Sequence, residues 1–102
     1  MIVSFGERKT GNLYHGLRVK GIPQDLHKRA MQKLVQLDAA LALSDLSIPP
    51  SNKLKKMQGQ TDADKSKDGQ LYSIRISAGW RITFHWKDNN AYGVAISNHY
   101  GD

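Results

Sequence analysis

The strongest constraint on the fold is a parity. Tyr72, Ile74, Ile76, Trp80, Ile82, Phe84, Trp86, Tyr92, Val94 and Ile96 all fall on even numbers. Side chains alternate faces along a β-strand. A common parity across 71–76, 80–86 and 91–96 therefore predicts three strands that share one core face. Shared parity requires hairpin loops of odd length. Residues 77–79 and 88–90 fit as three-residue loops, with Gly79 in the left-handed position of the first. Ile76 then pairs with Trp80, and Arg75 lies directly opposite Arg81. The odd-numbered face collects Ser73, Arg75, Ser77, Arg81, Thr83, His85 and Lys87, with Ala91, Gly93 and Ala95 on the last strand. Like charges directly opposite destabilise a hairpin. The Arg75–Arg81 pair is tolerable with an anion between or above it, or with both side chains in water or against Asp side chains of 59–70. Both readings stay open at this level.

The earlier part of the chain reads as helical. Residues 1–5 are rich in β-formers and predict a short first strand. Leu13, Tyr14 and Leu17 at helical spacing predict a helix over 7–18, weakened by Gly11 and Gly16 and ended by Gly21. Ile22-Pro23-Gln24-Asp25 then opens the clearest helix, with Pro near its first position and an acid in its first turn. Leu26, Ala30, Leu34, Leu37 and Leu41 recur every three or four residues as an apolar stripe. Lys28, Arg29, Gln32, Lys33 and Gln36 cover the other side. Ile48-Pro49-Pro50 ends the helical region, since a residue before Pro is pushed out of the α conformation. Residues 54–57 predict another strand, and the charged stretch 59–70 a mobile loop. The order β-α-α-β-β-β-β predicts an α+β domain: two N-terminal helices packed on a mostly antiparallel four- to five-stranded sheet.

Composition bounds the chemistry. At 102 residues the chain is expected to form a single domain over 1–102. Fifteen Lys and Arg against nine Asp and Glu leave a net charge of +6, which favours polyanionic partners. The absence of Cys excludes disulfides, thiolate metal sites and thiol catalysis. Glu7 is the only Glu, which excludes a catalytic pair of glutamates. No apolar run approaches a membrane span of ~20 residues, and the N-terminus does not read as a secretory signal. The expectation is a soluble cytoplasmic protein. His15 and His27 fall on helical segments and read as surface residues. His85 and His99 without a third ligand make a poor metal site, so no metal or cofactor is expected. Trp80 and Trp86 carry the core parity and read as core rather than base-stacking residues. The helix–Gly21–helix segment reads as an α-hairpin covering the sheet, not a DNA-binding motif. The lysines at 53, 55 and 56 read either as a solvated strand edge or as cations for a polyanion.

The string YSIRISAGWRITFHW over 72–86, the opening MIVSF, and LVQLDAALALSDLSIPPSNKLKKMQG over 34–59 together resemble the HigB branch of the RelE-type toxins. The resemblance covers nearly the whole chain and runs in family order. The hairpin and the preceding PP-x-N-[KR]-L element are its more specific parts. It implies a compact sheet with two packed helices, the toxin half of a bacterial type II toxin–antitoxin module, and an endoribonuclease that cuts mRNA in the ribosomal A site. It also implies a cognate HigA-like helix-turn-helix antitoxin encoded nearby, through which the toxin would meet operator DNA indirectly.

Carried over residue by residue, Arg81 falls on the family's catalytic arginine, next to the aromatic at Trp80. Arg75 lies where many members carry a cation; others place it nearer the turn, at Ser77. Lys55 and Lys56 lie in the strand where the family often supplies a His or Lys. The family commonly ends Asp-Tyr-His, whereas this chain has Asn98-His99-Tyr100 followed by Gly101-Asp102. The implied reaction is metal-independent attack of an RNA 2′-OH on the adjacent phosphorus. It needs a base, an acid and cations on the phosphoryl oxygens. Arg81 and Arg75 suit the last role, because a planar guanidinium matches phosphate bidentately. His99, Tyr100, Lys55 and Lys56 are the candidates for proton transfer. Lys53, Ser73, Ser77 and Lys87 are candidate RNA contacts. The alternative is a non-catalytic basic module of the same fold that only binds RNA or the antitoxin.

Overall fold

A computed structural model describes residues 1–57 and 69–98. Helix α1 spans Arg8–Tyr14 and α2 spans His27–Ala39; the strands are β1, Lys55–Lys56, β2, Gln70–Ser77, β3, Trp80–Lys87, and β4, Asn90–Ser97. The strands form one antiparallel sheet in the order β1-β2-β3-β4. The predicted α+β architecture is therefore the observed one. Of the predicted 59–70 loop only Gly69 and Gln70 lie within the described residues; His99 and Tyr100 lie outside them.

The even-numbered face is the core face. Ile74, Ile82, Phe84 and Val94 are fully buried and meet Leu34, Leu37 and Ala30 of α2 and Leu13 of α1. Trp80 and Trp86 are partly buried against this cluster, as their parity predicts. Both helices lie on the sheet as an α-hairpin. Asp38 ties them together: its carboxylate accepts the Tyr14 hydroxyl (3.1 Å) and the backbone N–H of Ile2 (2.8 Å). Burial, then this hydrogen bond, raises the Tyr14 pKa above its ordinary value of 10.0.

Several boundaries differ from the sequence reading. The first helix stops at Tyr14 rather than at 18, where Gly16 adopts positive φ. The second stops at Ala39, because Ala40 is extended and the Asp45 carboxylate captures the N–H groups of Leu41 (2.9 Å) and Ala42 (3.1 Å). Leu41 consequently leaves the apolar stripe and is 80% exposed. Residues 1–5 form no strand of their own. They make parallel bridges to β4 at Ile2–Ala91 and Phe5–Val94, which closes that sheet edge with four backbone hydrogen bonds of 2.8–3.0 Å.

The registers correct the parity argument in two places. Arg75 does lie opposite Arg81, but Ser77, not Ile76, pairs with Trp80. An irregularity at Ile76 absorbs the extra residue, and Gly79 takes the expected left-handed φ of 76°. Ser77 thereby leaves the arginine row. The second hairpin closes through two residues, Asp88 and Asn89, both at positive φ (52° and 63°), with Lys87 paired to Asn90. Such a turn matches the twist of the strands. The parity it breaks is restored by a bulge in β4, where Gly93 (φ 60°) and Val94 oppose Phe84. Between turn and bulge the faces are reversed. Ala91 packs in the core opposite Trp86, and Tyr92 sits opposite His85.

Candidate active site

The odd-numbered face carries the polar side chains, but Arg81 on it is closed off from solvent. Arg81 is 5% exposed, His85 1% and Ser73 fully buried. The covering groups come from the segment before β1. Pro50–Asn52 form one turn of 3-10 helix, and Lys53 follows in a left-handed conformation (φ 44°, ψ 54°). That conformation aims the Lys53 carbonyl at the sheet, where it accepts a hydrogen bond from Arg81 Nη2. Arg81 Nε donates to Ser73 Oγ at 2.8 Å, and Nη2 also reaches the Ser73 carbonyl at 3.5 Å. The Ser73 hydroxyl in turn contacts Met57 Sδ at 3.3 Å. The guanidinium is thus held in one orientation by charge-assisted bonds on two of its nitrogens.

Behind this contact stands Asn52, fully buried. Its amide donates to Gln36 Oε1 (3.1 Å), to the Leu46 carbonyl (3.1 Å) and to the Ile48 carbonyl (3.4 Å). Its oxygen accepts from Lys33 Nζ. A chain of polar contacts therefore runs from α2 through Asn52 to the Lys53 turn and so to Arg81. The role of Asn52 was not read from sequence, although it is the polar residue of the PP-x-N element. A lone Asn after two prolines reads as turn chemistry, and nothing local shows that it will be buried.

Arg75 has a different setting from its cross-strand partner. It is partly exposed and lines a pocket of about 330 Å³ with Arg29, Gln32 and Lys33 of α2, Ser51 and Ile76. The pairing of β1 with β2 is confined to residues 72 and 73. Past Ser73 this edge of β2 has no β1 partner, and it is here that Arg75 meets α2. Arg29 Nη1 reaches the Ile76 carbonyl at 3.5 Å. Burial, and then the charge of Arg29, lower the Lys33 pKa below 10.5. Arg29 and Lys33 were read only as the polar back of the helix. Their spacing of four places them on one face, a signal that could have found them.

The two edge lysines separate here. Lys55 is the cross-strand partner of Ser73 and shares the Arg81 face, whereas Lys56 partners Tyr72 and shares the helix-covered face. Both are exposed. Lys53 offers its carbonyl to Arg81, and its side chain is exposed. Lys87 lies six residues from Arg81 on β3, about 20 Å at ~3.3 Å per residue, and is not brought to the arginine end. Glu7 accepts the Thr10 hydroxyl (2.8 Å) and the Ile96 N–H (3.2 Å), a structural role. Of the helical histidines His15 is exposed, and His27 bonds the Ile22 carbonyl through Nε2 (3.0 Å). Among the described residues, no three His, Cys, Asp or Glu side chains gather as metal ligands, and no helix is long and apolar enough to cross a membrane.

Sheet, helices and a preoriented arginine define a small α+β protein with a cationic end. Residues 4–99 match the model of the family described as the RelE-like toxin of the type II toxin–antitoxin system HigB. Toxin HigB-1 of Vibrio cholerae is 33% identical over 78 residues, covering 76% of this chain and 75% of that protein. An uncharacterized protein of Haemophilus influenzae is 27% identical over 78 residues, covering 76% and 70%. The chain belongs to the HigB-like family of RelE-like toxins of type II toxin–antitoxin systems.

Proposed function

We propose that this toxin is a ribosome-dependent mRNA endonuclease acting as one domain over residues 1–102. The observation that carries the reading is Arg81, buried, opposite Arg75 and oriented by Ser73 and Lys53. In the reaction the 2′-oxygen bonds to the adjacent phosphorus while the bond to the 5′-oxygen breaks. A 2′,3′-cyclic phosphate and a 5′-OH result. Arg81 and Arg75 stabilise charge on the phosphoryl oxygens. An arginine held before the substrate arrives needs no reorganisation when charge develops, the condition under which such donors contribute most. His99, Tyr100, Lys55 and Lys56 are the candidates for taking the 2′-proton and protonating the leaving oxygen. Lys55 is favoured over Lys56 by its place on the Arg81 face. Lys53, Ser77 and Lys87 remain candidate RNA contacts. Ser73, enclosed beneath Arg81, serves by orienting it.

The ribosome supplies alignment that a site of one arginine pair, with no carboxylate base among the described residues, lacks. The partners in this reading are the ribosomal A site with its mRNA, and a HigA-like helix-turn-helix antitoxin that carries the toxin to operator DNA. Primer extension on mRNA in a translation reaction, with and without the purified protein, tests it. Discrete breaks that require engaged ribosomes are the expected result. Efficient cutting of naked RNA, or no cutting by folded protein, overturns it. The burial of Arg81 favours one second reading, a non-catalytic module in which this arginine only holds the Lys53 turn. Ribosome binding without mRNA breaks would select that reading.

A further inference from the structure

We propose that the pocket between α2 and the edge of β2 past Ser73 is a second phosphate site, built to hold an RNA phosphodiester other than the scissile one. The inference rests on the endonuclease reading only for the identity of the polyanion; the pocket itself stands on its geometry. Arg29 and Lys33 converge on it beside Arg75, which the endonuclease reading keeps for the scissile phosphate, with Ser51 and Gln32 as neutral hydrogen-bonding groups, and no carboxylate lines it among the described residues. One of the cations, Lys33, is held in place. Lys33 is anchored by the buried Asn52 oxygen, and Arg29 reaches the Ile76 carbonyl.

Arg29 and Lys33 set two like charges side by side at the cavity, and desolvation, then the charge of Arg29, lowers the Lys33 pKa. An oxyanion relieves both. Guanidinium forks bind a phosphate bidentately, and an ammonium adds a point charge. The pocket also adjoins the arginine end of the sheet. Arg75 is the direct cross-strand partner of Arg81, and Asn52, which holds Lys33, precedes the residue whose carbonyl holds Arg81. A strand of RNA with one phosphate at Arg81 therefore has a second cationic contact beside it at the α2 edge.

Arg29→Gln is the clean probe, since Arg29 is exposed and outside the proposed catalytic set. Lys28→Gln is its control: it removes the same charge from the same helix, at an exposed residue outside this pocket. Two probes are used, a short 2′-O-methyl RNA oligonucleotide that cannot be cut and ribosomes stripped of mRNA. Binding of each is followed across a salt series. Arg29→Gln is expected to weaken binding about tenfold and to flatten the salt slope by about one counterion. Lys28→Gln is expected to change it less than about twofold, leaving only the general field of the protein. An effect on the oligonucleotide places the phosphate in the substrate strand; an effect confined to stripped ribosomes places it in ribosomal RNA. Equal behaviour of the two variants with both probes overturns the site. Because neither probe is cleaved, Arg29-dependent binding by a protein that cuts no mRNA upholds the site while overturning the endonuclease reading.

Discussion

Replacing Ser73 by Ala tests whether orientation of Arg81, rather than its charge alone, drives cleavage. The substitution removes one of the three hydrogen bonds described for the guanidinium, the 2.8 Å contact from Nε, and leaves the two backbone carbonyls in place. A hydrogen bond to a charged group is worth about 1.5–3 kcal/mol, less whatever the remaining contacts recover. We expect about 1–2 kcal/mol of lost stability, read as a melting temperature lower by roughly 5–10 °C for a domain of this size. If half of that bond energy, about 0.75–1.5 kcal/mol, serves to hold the guanidinium in its reactive pose, cleavage falls about three- to tenfold. Ile82→Val is the control. Ile82 is fully buried on the opposite face, and its substitution costs about 0.5–1.5 kcal/mol without touching Arg81. Both variants are compared with the parent by thermal melting and by primer extension in a translation reaction. A Ser73→Ala protein that cuts at the parental rate refutes the reasoning. So does an Ile82→Val protein that slows equally, since stability alone would then explain the loss.

The cross-strand partners separate the edge lysines: Lys55→Gln is expected to reduce cleavage severalfold and Lys56→Gln to leave it within about twofold, because only Lys55 shares the Ser73 face; equal rates reject the assignment. Gly93 occupies the left-handed region at the β4 bulge. Gly93→Val is expected to cost more than about 1–2 kcal/mol and Gly93→Asn clearly less, because a short polar side chain tolerates that conformation; urea midpoints check the order. Tyr14 has a folded-state pKa above 10.0, so the unfolded chain releases this proton first. Its contribution is full below pH 10.0 and is lost as pH rises through the folded value. Tyr14→Phe should therefore lose less stability than the parent as pH rises above 10.0, measured by urea unfolding; identical slopes contradict the raised pKa of Tyr14.

The alternation of apolar residues over 71–96 was enough to place three strands, choose their core face, and set Arg75 opposite Arg81, because strand periodicity is a local property of the backbone. The stripe of α2 was legible for the same reason, through Leu37. It failed at Leu41, where the chain turns on hydrogen bonds to Asp45 and not on the pattern of apolar residues. Parity also misplaced Tyr92, Ala91 and Ser77. Two compensating irregularities, a two-residue turn and a bulge at Gly93, leave the totals of odd and even unchanged, so an argument from counting alone cannot see them.

The site divides along the same line. That this chain carries a cationic face with Arg75 opposite Arg81, and that no thiol or glutamate pair can serve it, were determined by sequence alone, since they depend on which side chains exist and on their period along one strand. The burial of Arg81, the aim of the Lys53 carbonyl, the pairing of Lys55 with Ser73 and of Lys56 with Tyr72, and the meeting of Arg75 with Arg29 and Lys33 were decided only by tertiary structure. Each joins residues far apart in the chain: 53 to 81, 55 to 73, 33 to 52. The physical reason is that local periodicity says which way a side chain points from its own strand or helix. What it meets there depends on how the Asn52 turn, locked by Gln36 and the carbonyls of Leu46 and Ile48, brings α2 and the edge of the sheet together.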